Sequence, residues 1–326
     1  MPATPPLRGD RGAPMRGGMR PGASMLCRPN STLPARVLHQ AFRRARTLDC
    51  LADRRSLPLL AALGCLVGLL AAGAFALALP AGHERDAAML HGFVGLDRPS
   101  VHRAIWFMAH LGDTLPYACA GLLCIAVALA RRRGWRALAV ACLLAVTGVT
   151  TQALKHALAQ PRLEHWLPEQ VATTSWPSGH STAAMTLALC AVLVAPPALR
   201  AATAVLGGAF AVGVGYAVLV LGWHYPSDVF GGFLVAGLWT SLAVAVLHRV
   251  EVPEPATRPA WKPLAALCAG AGVVAAAVLG VRADTVAVYT LERPTFVAGA
   301  LTIALLALAL VTTVSAASTR GAPRAR

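Results

Sequence analysis

The sequence predicts an all-α protein, a polytopic bundle of helices that cross a membrane. Three observations carry this. Of the 326 residues, 56% are hydrophobic and only 13% are charged, with a mean hydropathy of +0.60; a soluble domain carries roughly 25% charged residues. Eight stretches are free of Asp, Glu, Lys and Arg, and each is long enough to be weighed as a span, since a helix needs about 20 apolar residues to cross the hydrocarbon layer and about 17 at least. The alternation of apolar and polar residues that marks a membrane β-barrel is missing, and a helix is the natural way to pair every backbone group inside lipid.

In order, the charge-free stretches are Ser56–Gly82, Thr114–Ala130, Ala137–Leu154, Gln170–Leu199, Ala201–Ser227, Val229–His248, Pro263–Val281 and Pro294–Thr319. The second and third qualify if charged neighbours reach outward to water. The fourth opens on Thr173, Thr174 and Ser175, so its helix is placed from Ser178 onward. Between the first two spans, Pro99-Ser100 is a helix start, followed by Val101, Ile105, Met108 and Ala109 at helical spacing with Trp106 beside them. This predicts an amphipathic helix lying at the outer interface. The first 35 residues are rich in Pro, Gly and Arg, lack an apolar period and read as disordered; Met25 is a second possible start. No cleavable signal peptide is evident, so the first span is expected to stay as an anchor.

The net charge of +15, with 27 Arg among the 29 basic residues, raises nucleic-acid binding as a possibility. The arginines, however, sit at the chain ends and in short gaps between apolar runs, where topology explains them. With the N-terminus inside, the inner segments hold 22 Lys and Arg and the outer gaps 7; without the N-terminal arm the split is 11 to 7. Arg131, Arg132, Arg133 and Arg136 decide it, and both termini are expected in the cytoplasm. Of eight cysteines, no two have CxxC spacing and six lie in apolar runs, so neither a disulfide framework nor a zinc site is inferred.

Ionisable residues near the spans are functional candidates, and three clusters fall on the expected outer face. Lys155 ends the third span, and Arg162 follows seven positions later, after Pro161. Alone, the pair reads as two cations at a membrane edge. Trp176-Pro177-Ser178-Gly179-His180 precedes the fourth span. Ser178 is a candidate N-cap, Gly179 lets backbone approach a ligand, and a helix N-terminus attracts anions. Gly222-Trp223-His224-Tyr225-Pro226-Ser227-Asp228 joins spans five and six. His224 and Asp228, four apart, share a helix face if the sixth span starts here, and a carboxylate on one imidazole nitrogen fixes the tautomer and raises the basicity of the other. Two cations, a helix N-terminus and two histidines form equipment for phosphoryl transfer through a phosphohistidine.

These residues resemble the type 2 phosphatidic acid phosphatase superfamily of lipid phosphatases, which shares its site with vanadium haloperoxidases. Its motifs are Lys-x6-Arg-Pro, Pro-Ser-Gly-His and Ser-Arg-x5-His-x3-Asp. Here the first is Lys155 and Arg162 with Leu163 in the Pro position, the second is complete at 177–180, and the third keeps His224 and Asp228 but has Ala217-Val218 in place of Ser-Arg. The resemblance implies a six-helix lipid-phosphatase-like core, with the last two spans as two additional C-terminal transmembrane helices. It divides the chain into a basic cytoplasmic arm (1–55), the core (56–250) and the extra helices with a short tail (251–326). It implies His224 as nucleophile, Asp228 as its orienter, His180 as the acid for the leaving group, and Lys155, Arg162, Ser178 and the Gly179 amide as phosphate ligands, with no metal and no cofactor. The substrate would be a membrane lipid carrying phosphate or pyrophosphate, such as undecaprenyl pyrophosphate, phosphatidic acid or phosphatidylglycerol phosphate, met at the outer face of the cell inner membrane. No nucleic-acid partner is expected. Transfer to a lipid acceptor is the close variant. The missing Arg leaves three outcomes: weak activity, replacement by Arg98 or Arg103, or a non-catalytic relative. A transporter would want ionisable groups at the midplane. A metal site would have to be built from His156, His165, His180 and His224, beside two repelling cations.

Overall fold

The computed structural model describes residues 56–162, 164–167, 171–251 and 261–318. The N-terminal arm with Met25, Leu163 and the C-terminal tail lie outside them. Among the described residues the chain is helical throughout: α1 (Leu57–Gly73, continued by a π turn Ala74–Ala78), α2 (Pro80–Val94), α3 (Pro99–His110), α4 (Thr114–Ala130), α5 (Gly134–Ala157), α6 (Gly179–Val194), α7 (Arg200–Val220), α8 (Pro226–Val250), α9 (Trp261–Glu292) and α10 (Pro294–Ser318).

Helix α6 is the axis of the bundle. It lies against α4, α5, α7, α8 and α10, and nearly all of its side chains are buried. Its first turn is capped by Ser178, whose Oγ accepts the Ser181 N–H at 3.3 Å. Its last carbonyls, which no turn of helix can satisfy, are taken by arginines from three other segments. Arg136 donates to Leu193 O (2.9 Å), Arg131 to Val194 O (2.6 Å) and Arg200 to Ala195 O (3.3 Å). Arg136 also pairs with Glu251 at 2.9 Å. The arginine-rich gaps thus close one end of the bundle, where cations suit helix C-termini. The site lies at the other end.

On the outside, α1, α4 and α10 expose rows of leucine, among them Leu60, Leu63, Leu70, Leu122, Leu123, Leu305 and Leu308. Apolar surface of that extent needs lipid to cover it. The protein is a multi-pass membrane protein. Among the described residues, five helices are by themselves long and apolar enough to cross: Leu57–Ala78, α5, α7, α8 and α10. A sixth counts if α3 and α4, bent by 55°, act as one. The differences from the charge-free stretches have local causes. Sixteen residues give α6 about 24 Å, short of the hydrocarbon thickness of about 30 Å; shielded by its neighbours, it need not span alone. The first stretch stops at Leu79, whose extended backbone precedes Pro80, and the chain starts a separate helix, α2, that packs against α10. The seventh stretch sits within the longer α9, broken at Arg282. The expected amphipathic helix is α3.

Candidate active site

At the end of the bundle opposite the arginines, the C-terminus of α5, the N-terminus of α6 and the α7–α8 turn meet. Gly222 ends α7 with φ +71°. Its N–H donates to Leu219 O and the Trp223 N–H to Val218 O, both at 3.0 Å, a Schellman closure that needs a left-handed residue. Two residues later the chain turns into α8, with Pro226 in its first turn. His224 is thereby presented at the mouth of the turn and Asp228 beneath it.

The Asp228 carboxylate is fully buried and fully used. Its Oδ2 lies 3.2 Å from His224 Nδ1 and accepts the Tyr225 N–H at 3.0 Å; its Oδ1 accepts from Arg162 Nη2 at 2.6 Å. With Nδ1 held by the carboxylate, His224 has Nε2 left for chemistry. The Asp228 carbonyl takes the Ser178 N–H at 2.9 Å, so the backbones of the second and third motifs are hydrogen-bonded to each other.

The imidazoles of His180 and His224 stand 6.2 Å apart, centroid to centroid. Both line a cavity of about 690 Å³, together with Lys155, Gly179, Asp113, Tyr117, Thr151 and Gln152. A Cβ built on Gly179 would lie 4.0 Å from Lys155 Cε, so the end of the Lys155 stem and the start of α6 meet at the cavity wall. Here a tetrahedral anion can meet an ammonium, a helix N-terminus and two imidazoles.

The other residues singled out in the sequence sit behind this wall. Ser178 is buried, its hydroxyl capping α6. Arg162 is buried between two carboxylates, Asp228 and Asp86 (3.4 Å), and also donates to Ser175 Oγ. Its guanidinium lies 4.0 Å over the Tyr225 ring. Val218, where the resemblance expects Arg, is enclosed in the apolar core. Arg98 lines a different cavity, with Arg282 and Tyr289, and neither Arg98 nor Arg103 reaches the cavity of the two histidines. Of the four histidines considered for a metal, His180 and His224 line that cavity and His156 and His165 do not.

Three acidic residues at the site were not singled out from the sequence. Asp86 on α2 accepts the Ser227 N–H at 2.9 Å and the Ser227 hydroxyl, as well as Arg162. Asp113, before α4, meets His180 Nε2 at 3.0 Å. Glu164 binds His83 at 3.2 Å and the Tyr225 hydroxyl at 3.4 Å. A charged residue four positions past the end of a charge-free stretch was the available signal for Asp86, and an Asp directly before a span for Asp113.

Comparison with known proteins agrees with this geometry. No curated protein matches the chain. The crystal structure of a transmembrane PAP2 type phosphatidylglycerolphosphate phosphatase from Bacillus subtilis has a similar fold, with a TM-score of 0.50 and 22% identity, over 60% of this chain and 98% of that one. Residues 136–251, which hold Lys155, Arg162, the Pro177–His180 run, His224 and Asp228, match the PAP2 superfamily model. The resemblance carried by the three motifs is therefore supported over this segment, which is similar to the PAP2 superfamily.

Proposed function

We propose that the protein is a membrane phosphatase that takes the phosphoryl group from a lipid phosphate or pyrophosphate through a phosphohistidine. The observation that carries this reading is the shared cavity: His224, backed by buried Asp228, faces a space that His180, Lys155 and the start of α6 also line. Lys155 and the Gly179 amide hold the nonbridging oxygens. His224 Nε2 attacks phosphorus, the bond to the leaving oxygen breaks, and His180 gives that oxygen its proton. A water then attacks the phosphohistidine, its proton passing to the now neutral His180, and phosphate leaves. Arg162 acts from behind, fixing Asp228 and lending positive potential. Ser178 acts through the cap and its bond to Asp228. Neither metal nor cofactor has a step in this scheme.

The cavity lies at the end of the bundle opposite the arginines that close α6. With those arginines in the cytoplasm, the site faces the periplasm or outside of the cell inner membrane and both termini face in. A lipid fits such a place because its tail stays in the bilayer while its headgroup enters between helices. The division into an arm (1–55), a core (56–250) and two C-terminal helices (251–326) belongs to the same reading.

The test is a panel of phosphatidic acid, phosphatidylglycerol phosphate and undecaprenyl pyrophosphate, given to purified protein in detergent with EDTA. Wild type is expected to release phosphate from at least one, and His224→Ala from none. Retained activity in His224→Ala refutes the nucleophile assignment, and loss of wild-type activity in EDTA refutes the metal-free scheme. A second reading, a catalytically weakened relative, is favoured by one observation: among the described residues, Lys155 is the one Lys or Arg that lines the cavity, with Val218 in the core. Binding of a lipid phosphate without turnover would select it.

A further inference from the structure

The proposed reaction asks His180 to hold a proton and deliver it, and the structure gives that imidazole a carboxylate of its own. Asp113 occupies the N-cap position of α4, yet its side chain makes no cap hydrogen bond to that helix. It turns to His180 instead, with Oδ1 3.0 Å from Nε2. The turn that carries it is the bend between α3 and α4, 55° wide, and it is pressed against His180: a Cβ on Gly112 would lie 3.0 Å from His180 Cβ and 3.1 Å from its Cα. Asp113, His180 and His224 line one cavity. Asp113 also lies outside the segment that matches the family model, so the pairing joins a separate part of the chain to the site.

We infer that Asp113 is the positioning residue of His180, making a second Asp–His pair that faces the first across the cavity. This deepens the reading given above and rests on it. The carboxylate holds Nε2, sets the plane of the ring and favours its protonated form, against the burial of the ring first and then the charges of His224 and Lys155. With Nε2 so engaged, Nδ1 is left for the leaving oxygen. As the N–P bond to His224 forms and the P–O bond breaks, that oxygen takes the His180 proton; the neutral ring, still held by Asp113, accepts a proton from water in the second step.

The test compares two substrates on the full-length protein in detergent. A short-chain phosphatidic acid loses an alkoxide that must be protonated, whereas p-nitrophenyl phosphate loses a phenolate that leaves without a proton. Asp113→Asn is expected to lower kcat on the alkyl ester about ten- to a hundredfold with little change in KM; the pre-steady-state burst of p-nitrophenolate, which reports phosphorylation of His224 alone, should stay within about threefold of wild type, while the later hydrolysis slows for both substrates. Asp113→Glu should recover part of the loss. In a His180→Ala background, Asp113→Asn should add nothing further. Equal losses of the first-step rate on both substrates would show a merely structural role, and unchanged rates on both would show no role; either overturns the inference while leaving the phosphatase reading intact. Wild type inactive on both substrates and on every lipid of the panel above would overturn the phosphatase reading and the inference with it.

Discussion

Asp86 lies 3.4 Å from Arg162 across 76 residues of sequence, and both are buried. The contact matters because Arg162 also holds Asp228 at 2.6 Å, while Asp86 binds Ser227 at the start of α8 through its backbone N–H and its hydroxyl. One carboxylate from α2 therefore braces the helix turn on which the His224–Asp228 pair is built. Asp86→Ala leaves Arg162 paired with Asp228 but strips the buried Ser227 N–H and hydroxyl of their acceptor, so it is expected to cost about 1–3 kcal/mol in detergent unfolding, and Ser227→Ala only about 1 kcal/mol.

The same carboxylate makes stability depend on pH. Burial, and next the Asp228 charge beside it, push the Asp86 carboxyl up to about 7. In the unfolded chain it titrates near 4. Between these values the folded protein holds a proton that the unfolded chain has released, so stability falls as pH rises. The contribution is whole below about pH 4 and is lost as pH rises through about 7. Thermal unfolding between pH 5 and pH 8 should show the margin of wild type over Asp86→Asn shrinking with rising pH; a margin that stays flat or widens would contradict this placement of the Asp86 charge.

Lys155 and Arg162 belong to one sequence motif but take up different surroundings, and their variants should separate. Lys155 lines the cavity. Lys155→Ala should lower kcat/KM on a lipid phosphate about a hundredfold or more with the unfolding temperature nearly unchanged. Arg162→Ala leaves Asp86 and Asp228 facing each other without a cation, so it should lose both activity and about 3–5 kcal/mol of stability. Equal thermal stability of the two variants would refute the distinction.

Much of this site was legible in the sequence because its parts are local. The Ser178 cap, the Pro226 start of α8 and the four-residue spacing of His224 and Asp228 are written in neighbouring residues, and α4 runs over Thr114–Ala130, the charge-free stretch itself. The rest depends on what the chain brings from afar. Asp86 reaches Ser227 over 141 residues, and Asp113 reaches His180 over 67; no short-range period marks either. The inward course of Arg162 was equally hidden, since a cation after a span reads the same whether it turns to water or to a buried carboxylate. Charge-free length alone does not tell a helix facing lipid from one, like α6, shielded by its neighbours.

Gly231 and Gly232 show the same limit. Both sit on α8 beneath the second motif. A Cβ on Gly232 would lie 2.7 Å from Ser178 O and 2.9 Å from the Thr182 N, backbone atoms that cannot swing aside, and one on Gly231 would lie 2.9 Å from Pro177 Cβ. Gly232→Ala should push the start of α6 away from α8, stretch the Ser178–Asp228 bond and cost about 1–3 kcal/mol of stability, with at least a tenfold loss of kcat, because a displacement of about 1 Å is felt strongly at a reacting centre. Wild-type turnover in Gly232→Ala would show that the two motifs need not be this close.

The central claim is that His224 becomes covalently phosphorylated. Rapid mixing of the protein with a lipid phosphate carrying labelled phosphorus, quenched under alkaline conditions that preserve phosphohistidine and followed by peptide mass spectrometry, tests it directly. The account predicts label on His224 in wild type, more label in His180→Ala when the substrate is p-nitrophenyl phosphate, since the second step then lacks its base, and none in His224→Ala. Turnover with no label on His224, or label on another residue, would contradict it.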